Sequence, residues 1–173
     1  MIITYLGRRG SGKTLTMVKD AYIEHMRGKI IVSNIKGIPF AKFMDNEQIL
    51  ALDKNSKLFN AVILIDEAQI FFDSRRSMKK ENISFSNFVQ QIRKRNIDLY
   101  LTTQFANAIE KRLRDHTDII AKVKFLDLYK LCKVKYIDIT SIEDEYQDTP
   151  TSVEVIYDAC AIFGLYNTNQ MII

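Results

Sequence analysis

Residues Gly7–Thr14 read GRRGSGKT, three glycines running into a lysine and a hydroxyl. The spacing G-x-x-x-x-G-K-[ST] is that of a phosphate cradle, and such a cradle needs a strand before it and a helix after it. IITYLG (Ile2–Gly7) supplies the β-prone apolar run, and Leu15, Val18, Ala21, Tyr22 and Met26 follow at helical spacing. Gly10 and Gly12 allow backbone N–H groups to converge on phosphate oxygens, because no Cβ blocks the approach. A helix beginning near Lys13 adds its positive N-terminal end. Lys13 is then placed to reach the β- and γ-phosphates, and Thr14 to set its hydroxyl on Mg²⁺. Gly7, Arg8, Arg9, Gly10, Ser11, Gly12, Lys13 and Thr14 are the expected nucleotide-binding residues, with ATP and Mg²⁺ as ligands.

A second element is VILIDEAQ (Val62–Gln69), an apolar run that delivers Asp66 to a strand's carboxyl end, where α/β sheets bind ligands. Asp66 is expected to hold Mg²⁺ through water beside Thr14. Glu67, the next residue, has the chemistry to orient and polarise a water attacking the γ-phosphate. A kinase acting on a small molecule needs no such group, since the substrate hydroxyl is its nucleophile. Gln104 ends the strand LYLTTQ, and a strand tip beside the cradle would let its amide report the γ-phosphate. A glutamine that merely caps a strand is the plain alternative. A guanidinium on the γ-phosphate can add on the order of 10³–10⁵ in rate. Arg93 and Arg95, Arg75 and Arg76, or Arg112 and Arg114 could supply it to a neighbouring subunit, or contact DNA phosphate instead; Arg93 is the first choice.

The elements that must position these groups alternate strand and helix, which predicts an α/β fold with a mostly parallel sheet flanked by helices. Thr14–Arg27 is the first helix, closed by Gly28, and KIIVSN (Lys29–Asn34) the next strand. Asp45 with Gln48 has the pattern of a capping box opening a short helix to about Leu52. AVILID (Ala61–Asp66) is uniformly apolar and belongs in the sheet's middle. DSRRSMKKEN reads as a polar loop; Phe85, Phe88, Val89 and Ile92 then mark one helical face, opposite Asn87, Gln90, Gln91 and Lys94. Asp98–Gln104 is a fourth strand. IIAKVKFL and KLCKVKYIDI predict a C-terminal antiparallel hairpin around Asp127–Lys130, and Ser152–Phe163 a final helix after a turn at Asp148–Pro150.

At 173 residues, 47% hydrophobic and with only two prolines, the composition is that of a single globular domain, 1–173, rather than a disordered or fibrous chain. The net charge of +4 does not by itself demand a nucleic-acid partner, but Ser74–Lys80, Ile92–Arg95 and Glu110–His116 gather cations in the middle third. Cys132 and Cys160 lack any metal or disulfide spacing and are expected to be small core residues; His25 and His116 stand alone and are expected to be structural. No signal peptide and no apolar run near the roughly 18 residues of a membrane span is present. A cytosolic protein, or one inside a particle assembled there, is expected.

Taken together, GRRGSGKT, VILIDEAQ and QQIRKRNIDLYLTTQ resemble the FtsK–HerA superfamily of ring-forming DNA-pumping ATPases, in which a helix ending in arginine precedes a strand ending in glutamine, matching Arg93 and Gln104. RGKIIVSNIKGI (Arg27–Ile38) and IDEAQIFFDSR (Ile65–Arg75) are similar to two branches: zonula occludens toxin-like phage assembly ATPases and viral genome-packaging ATPases. The resemblance spans roughly residues 1–125 and implies a RecA-like P-loop NTPase of the ASCE type. It further implies a homo-oligomeric ring around double-stranded DNA, nucleotide at subunit interfaces, Glu67 and Lys13 as catalytic residues, Gln104 as sensor and Arg93 acting in trans. Because the assembly ATPases carry a transmembrane helix after the ATPase domain and this sequence stops at Ile173, packaging of a viral double-stranded DNA genome is the first expectation. Phage assembly or extrusion at a membrane is the second, with a capsid or membrane assembly partner accordingly. A small-molecule kinase and a nucleotide binder without turnover are further alternatives.

Overall fold

In the computed structural model, residues 1–52, 56–70, 89, 90, 92–105, 115–140 and 150–165 are described. Their eight strands form one sheet in the order β3-β2-β4-β5-β1-β6-β7-β8. They are β1 (Ile2–Leu6), β2 (Ile30–Ser33), β3 (Ala41–Phe43), β4 (Ala61–Ile65), β5 (Ile97–Thr103), β6 (Ile119–Leu126), β7 (Leu131–Asp138) and β8 (Ser152–Asp158). From β3 across to β6 every neighbouring pair is parallel; β6–β7 and β7–β8 are antiparallel. The mostly parallel sheet and the C-terminal hairpin are thus as expected.

The placement of β5 matters most. It lies between β1, which leads into the glycine loop, and β4, which ends at Asp66: Leu6 pairs with Thr103 and Ile65 with Leu101. Every residue of β4 and β5 is buried, as strands covered on both faces must be. One face carries Ile3, Tyr5, Val62, Leu64 and Val134 against Met17, Val18 and Ala21 of helix α1 (Lys13–Met26). The other carries Ile63, Ile65, Leu99 and Leu101 with Ile49 of helix α2 (Asn46–Leu50), Val89 and Ile92. Helix α2 opens with the expected capping box, Gln48 N donating to Asp45 Oδ1 at 2.8 Å and Asp45 N to Gln48 Oε1 at 3.1 Å.

Hydroxyls tie α1 to the sheet. Tyr5 and Tyr136 both donate to Asp20 Oδ2, at 2.8 and 2.7 Å, and Thr16 Oγ1 lies 2.8 Å from Tyr157 Oη. α1 is therefore braced from β1, β7 and β8, which holds the helix whose first turn faces the glycine loop.

Two expectations are corrected, and one strand is new. Ser152–Phe163 is not one helix: Ser152–Asp158 is strand β8 and only Cys160–Phe163 (α3) is helical. Val153, Val155 and Ile156 are three β-branched residues within a four-residue stretch, which disfavours helix, and pairing with β7 captures them. Cys160 is exposed rather than a core residue, whereas Cys132 is buried. β3 was not expected; its three residues are partly exposed and are held as a strand by pairing with β2. Of the helix expected before β5, the described residues show Val89 helical and a 3₁₀ turn at Ile92–Arg95. Phe85, Phe88, Asn87, Gln91, the DSRRSMKKEN loop and Asp148 lie outside the described residues.

Candidate nucleotide site

The loop after β1 curls back on itself, with Ser11 N donating to Arg8 O at 3.1 Å, and enters α1 at Gly12. Gly12 has φ +85°, a left-handed conformation that disfavours any residue with a Cβ. A Cβ there would sit 2.8 Å from Cys132 Sγ, so space as well as backbone selects glycine. As N-cap, Gly12 offers α1 no side-chain acceptor, and the first turn holds no acidic residue. The helix's leading N–H groups and the positive end of its dipole are therefore left for an external anion. Among the described residues, Ser11 Oγ in the same loop is buried with no hydrogen-bond partner.

Lys13 is only 6% exposed, and its Nζ folds back to donate to Arg8 O at 3.0 Å. Burial pulls its ammonium below the ordinary lysine value, while Glu67 and Asp66 pull it back up. Thr14, one residue further on, donates from Oγ1 to Asp66 Oδ1 at 3.0 Å across the gap between β1 and β4. Thr102, on the intervening β5, donates to the same Asp66 oxygen. Burial pushes the Asp66 carboxyl above the usual range; the Thr102 and Thr14 hydroxyls oppose that, Glu67 adds to it and Lys13 opposes it.

Two residues that the sequence reading did not single out hold this carboxylate in place. Asn34, just past β2, brackets the Asp66 backbone: its Oδ1 accepts from Asp66 N at 2.8 Å and its Nδ2 donates to Asp66 O at 3.1 Å. Thr102 also accepts from Glu67 N at 2.9 Å, so one buried hydroxyl locks both the metal-holding candidate and its neighbour. The available signal was a polar residue at the end of an apolar strand, which KIIVSN and LYLTTQ both show. Glu67 itself has φ +52°, a left-handed backbone rare outside glycine and asparagine. Such outliers persist where surrounding contacts over-determine them. Here the Thr102 bond and the Ile70 N to Glu67 O bond at 2.9 Å do so, and Gln69 donates to the Glu67 carboxylate.

Glu67 lines a cavity of about 300 Å³ together with Gly10, Lys13 and Thr14, and Phe125 of β6 and Phe163 of α3 add aromatic side chains to its lining. Gln104 follows Thr103, the residue paired with Leu6, and is half-buried at the tip of β5 between the glycine loop and Asp66. The structure brings these expected residues to one end of the sheet. It does not bring Arg93 there. Arg93 precedes β5 at the opposite end, where its Nη2 pairs with Asp118 Oδ1 at 2.8 Å. Arg95 donates to Ser56 O at 2.5 Å and lies over the Phe59 ring. Arg75, Arg76, Arg112 and Arg114 lie outside the described residues. His25 stacks on Phe40 and His116 lines a cavity at the Arg93 end.

Residues 1–170 match the model of the zonular occludens toxin (Zot) family. The chain belongs to the Zot family. Among solved structures it is similar to the N-terminal domain of zonular occludens toxin from Neisseria meningitidis, with 19% identity, TM-score 0.69 and coverage of 96% of this chain and 98% of that one. It is also similar to the genome packaging NTPase B204 from Sulfolobus turreted icosahedral virus 2, at 17% identity and TM-score 0.60 over 88% of this chain and 94% of that one. The RadB recombinase matches at 13% identity and TM-score 0.56, covering 88% and 85%. No curated protein sequence matches. At these identities the likeness is one of fold, and the fold is that of the RecA-like P-loop NTPases, as expected. Among the described residues of this Zot-family chain, no helix is long and apolar enough to cross a membrane.

Proposed function

We propose that this Zot-family chain is an ATP hydrolase, a motor domain that converts ATP turnover into movement of nucleic acid during virion assembly. The observation that carries the reading is that Thr14, which lines one cavity with Lys13 and Glu67, donates to the buried Asp66 carboxylate at 3.0 Å. The residues fit ATP with Mg²⁺. A buried, unpartnered Ser11 Oγ and an uncapped helix start suit a phosphate. One hydroxyl and one carboxylate are too few to cage a cation alone but suit Mg²⁺ arriving with phosphates.

Lys13 exchanges Arg8 O for phosphate oxygen, and Gly10, Ser11 and Gly12 present N–H groups, with Gly7, Arg8 and Arg9 completing the loop. Thr14 and Asp66 would hold Mg²⁺, and the chemistry it would supply is to offset charge on the β- and γ-phosphates. Glu67 takes a proton from the attacking water, and Gln104 senses the γ-phosphate from the strand between. Arg93, at the far end of its own sheet, serves the cleft of a neighbouring subunit, so the active form is a homo-oligomer, with the host cytoplasm as its place of action.

Family membership across residues 1–170 supports phage assembly at a membrane ahead of capsid packaging, reversing the order expected from the sequence. Packaging of double-stranded DNA stands as a second reading, favoured by the likeness to B204, named a genome packaging NTPase. The test is phosphate release by the purified chain at several protein concentrations, alone and with linear duplex DNA, single-stranded DNA or anionic vesicles, with Lys13→Ala as control. Turnover that rises steeply with protein concentration and with DNA supports the motor reading, and duplex preference supports packaging. Turnover absent under every condition, or equal in Lys13→Ala, refutes it.

A further inference from the structure

The antiparallel strands carry a pattern that the nucleotide site does not use. Along AKVKF in β6 and CKVKY in β7 the alternation is strict. Ala121, Val123, Val134 and Tyr136 pack toward α1, in the same cluster as Met17 and Val18. The alternate residues, Lys122, Lys124, Lys133 and Lys135, therefore project from the opposite face. Register sets them side by side: Lys122 is directly opposite Lys135, and Lys124 directly opposite Lys133. Lys122, Lys124 and Lys135 are exposed. Among the described residues the ion pair on this face is Lys133 with Glu154, at 2.7 Å. Like charges directly opposite destabilise a sheet. Four clustered cations therefore bring no benefit to the fold that apolar or mixed-sign pairs would not exceed.

The cluster does not stand apart from the cradle. Leu6, the last residue of β1, pairs with Lys122, and a cavity of about 650 Å³ is lined by Lys122 and Lys124 together with Arg8 and Arg9 of the glycine loop. A rigid grid results, about 5 Å across strands and about 7 Å along them. The phosphates of a duplex strand rise about 3.4 Å each along the helix axis, so lysines about 7 Å apart on one β-strand match about two such rises where that strand runs parallel to the axis. The four lysines occupy neighbouring positions with no apolar side chain between them, and the face continues on β8 with Glu154 opposite Lys135 and the exposed Ile156 opposite Lys133; the β6–β7 part has the composition of a backbone-following surface.

We propose that this face of β6 and β7 is the nucleic-acid contact of the motor, gripping duplex phosphates beside the ATP cleft. The proposal rests on the reading that the chain acts on nucleic acid. It moves the contact away from the middle-third basic clusters that the sequence suggested. Because Arg8 and Arg9 belong to both the loop and the cavity, bound phosphate backbone and bound nucleotide would share a wall, which couples grip to turnover.

The experiment is anisotropy of a fluorescein-labelled linear duplex titrated with wild type and with Lys122→Gln/Lys124→Gln/Lys135→Gln, which leaves the Lys133–Glu154 pair intact, over a range of salt. The expected loss is on the order of 10²-fold in affinity at ~0.1 M salt, with the slope of log K against log salt shallower by about 3. Melting temperature should hold or rise as like charges are removed, and phosphate release without DNA should be unchanged. If wild type binds duplex and the triple variant matches it in affinity and slope, the surface is wrong while the functional reading stands. If wild type ignores duplex but pellets with phosphatidylserine vesicles, and the variant does not, the face is a membrane surface and the proposed contact falls. Binding to neither overturns the proposed contact as well, and the nucleic-acid reading falls with it when turnover is also indifferent to single-stranded DNA.

Discussion

Replacing Gly12 with alanine tests how the cradle is built. Two separate penalties apply. A Cβ at φ +85° incurs the left-handed penalty of about 1–2 kcal/mol. The same Cβ lies 2.8 Å from Cys132 Sγ, whereas Val123 Cγ1 at 3.8 Å and Phe125 Cδ2 at 3.9 Å are ordinary contacts. Cys132 is fully buried, so the sulfur has little room to yield, and overpacking of this kind adds about 1–3 kcal/mol. The sum, about 2–5 kcal/mol, corresponds to a melting temperature lower by about 5–20 °C for a chain of this size. Gly10 is the control: its φ is +74°, but among the described residues a Cβ there meets nothing within 4 Å, so Gly10→Ala should lose only the backbone part, about 1–2 kcal/mol. Thermal unfolding of both variants, alone and combined with Cys132→Ala, separates the terms. Cys132→Ala should rescue Gly12→Ala with a coupling of about 1–3 kcal/mol, while combining with Gly10→Ala additively to within about 0.5 kcal/mol. Absence of coupling at Gly12, or equal coupling at both glycines, would refute the packing argument.

Thr102→Val leaves Asp66 and the Glu67 N–H short of a partner; stability should fall by about 1–3 kcal/mol in denaturant titration, with phosphate release reduced beyond what partial unfolding explains. Asp66→Asn separates stability from activity. Burial raises the Asp66 pKa in the folded chain, so its contribution is present below the ordinary aspartate value of about 3.9 and is lost as pH rises through the folded value. Without nucleotide or Mg²⁺, the asparagine variant should therefore melt higher than wild type at neutral pH, with the gain shrinking toward pH ~4, while hydrolysis is abolished; a lower melting temperature at neutral pH would contradict the sign. Phe163→Ala removes one aromatic lining residue from the cavity and should raise KM for ATP by about 2–10-fold with kcat held, as loss of an aromatic contact worth about 0.5–1.5 kcal/mol implies.

Much of this arrangement was legible in the residues because local chemistry and position coincide there. GRRGSGKT carries its own loop geometry, AVILI its own burial, and Asp45 with Gln48 its own helix start, and all three fold as their patterns dictate. The elements that were missed are fixed by partners distant in sequence. β3 exists because β2 presents a free edge, and β8 because β7 does, which is why SVEVIYD becomes a strand and only the four residues from Cys160 turn helical. Within the site, Thr102 and Asn34 matter through bonds to Asp66 across 36 and 32 residues of sequence, and no local spacing encodes those. Arg93 shows the converse: its place before the Gln104 strand was readable, but its pairing with Asp118 at the other sheet end depends on β1 and β6 lying side by side.

The central claim is that this cleft hydrolyses ATP with Glu67 as the group that activates water. The most direct measurement compares wild type with Glu67→Gln in two readouts on the same preparations: ATP binding by a fluorescent analogue, and phosphate release under saturating ATP with Mg²⁺. The account predicts binding within a few-fold of wild type and release lower by about 10²-fold or more, the contribution expected of a positioned general base. Equal release by the glutamine variant would contradict it.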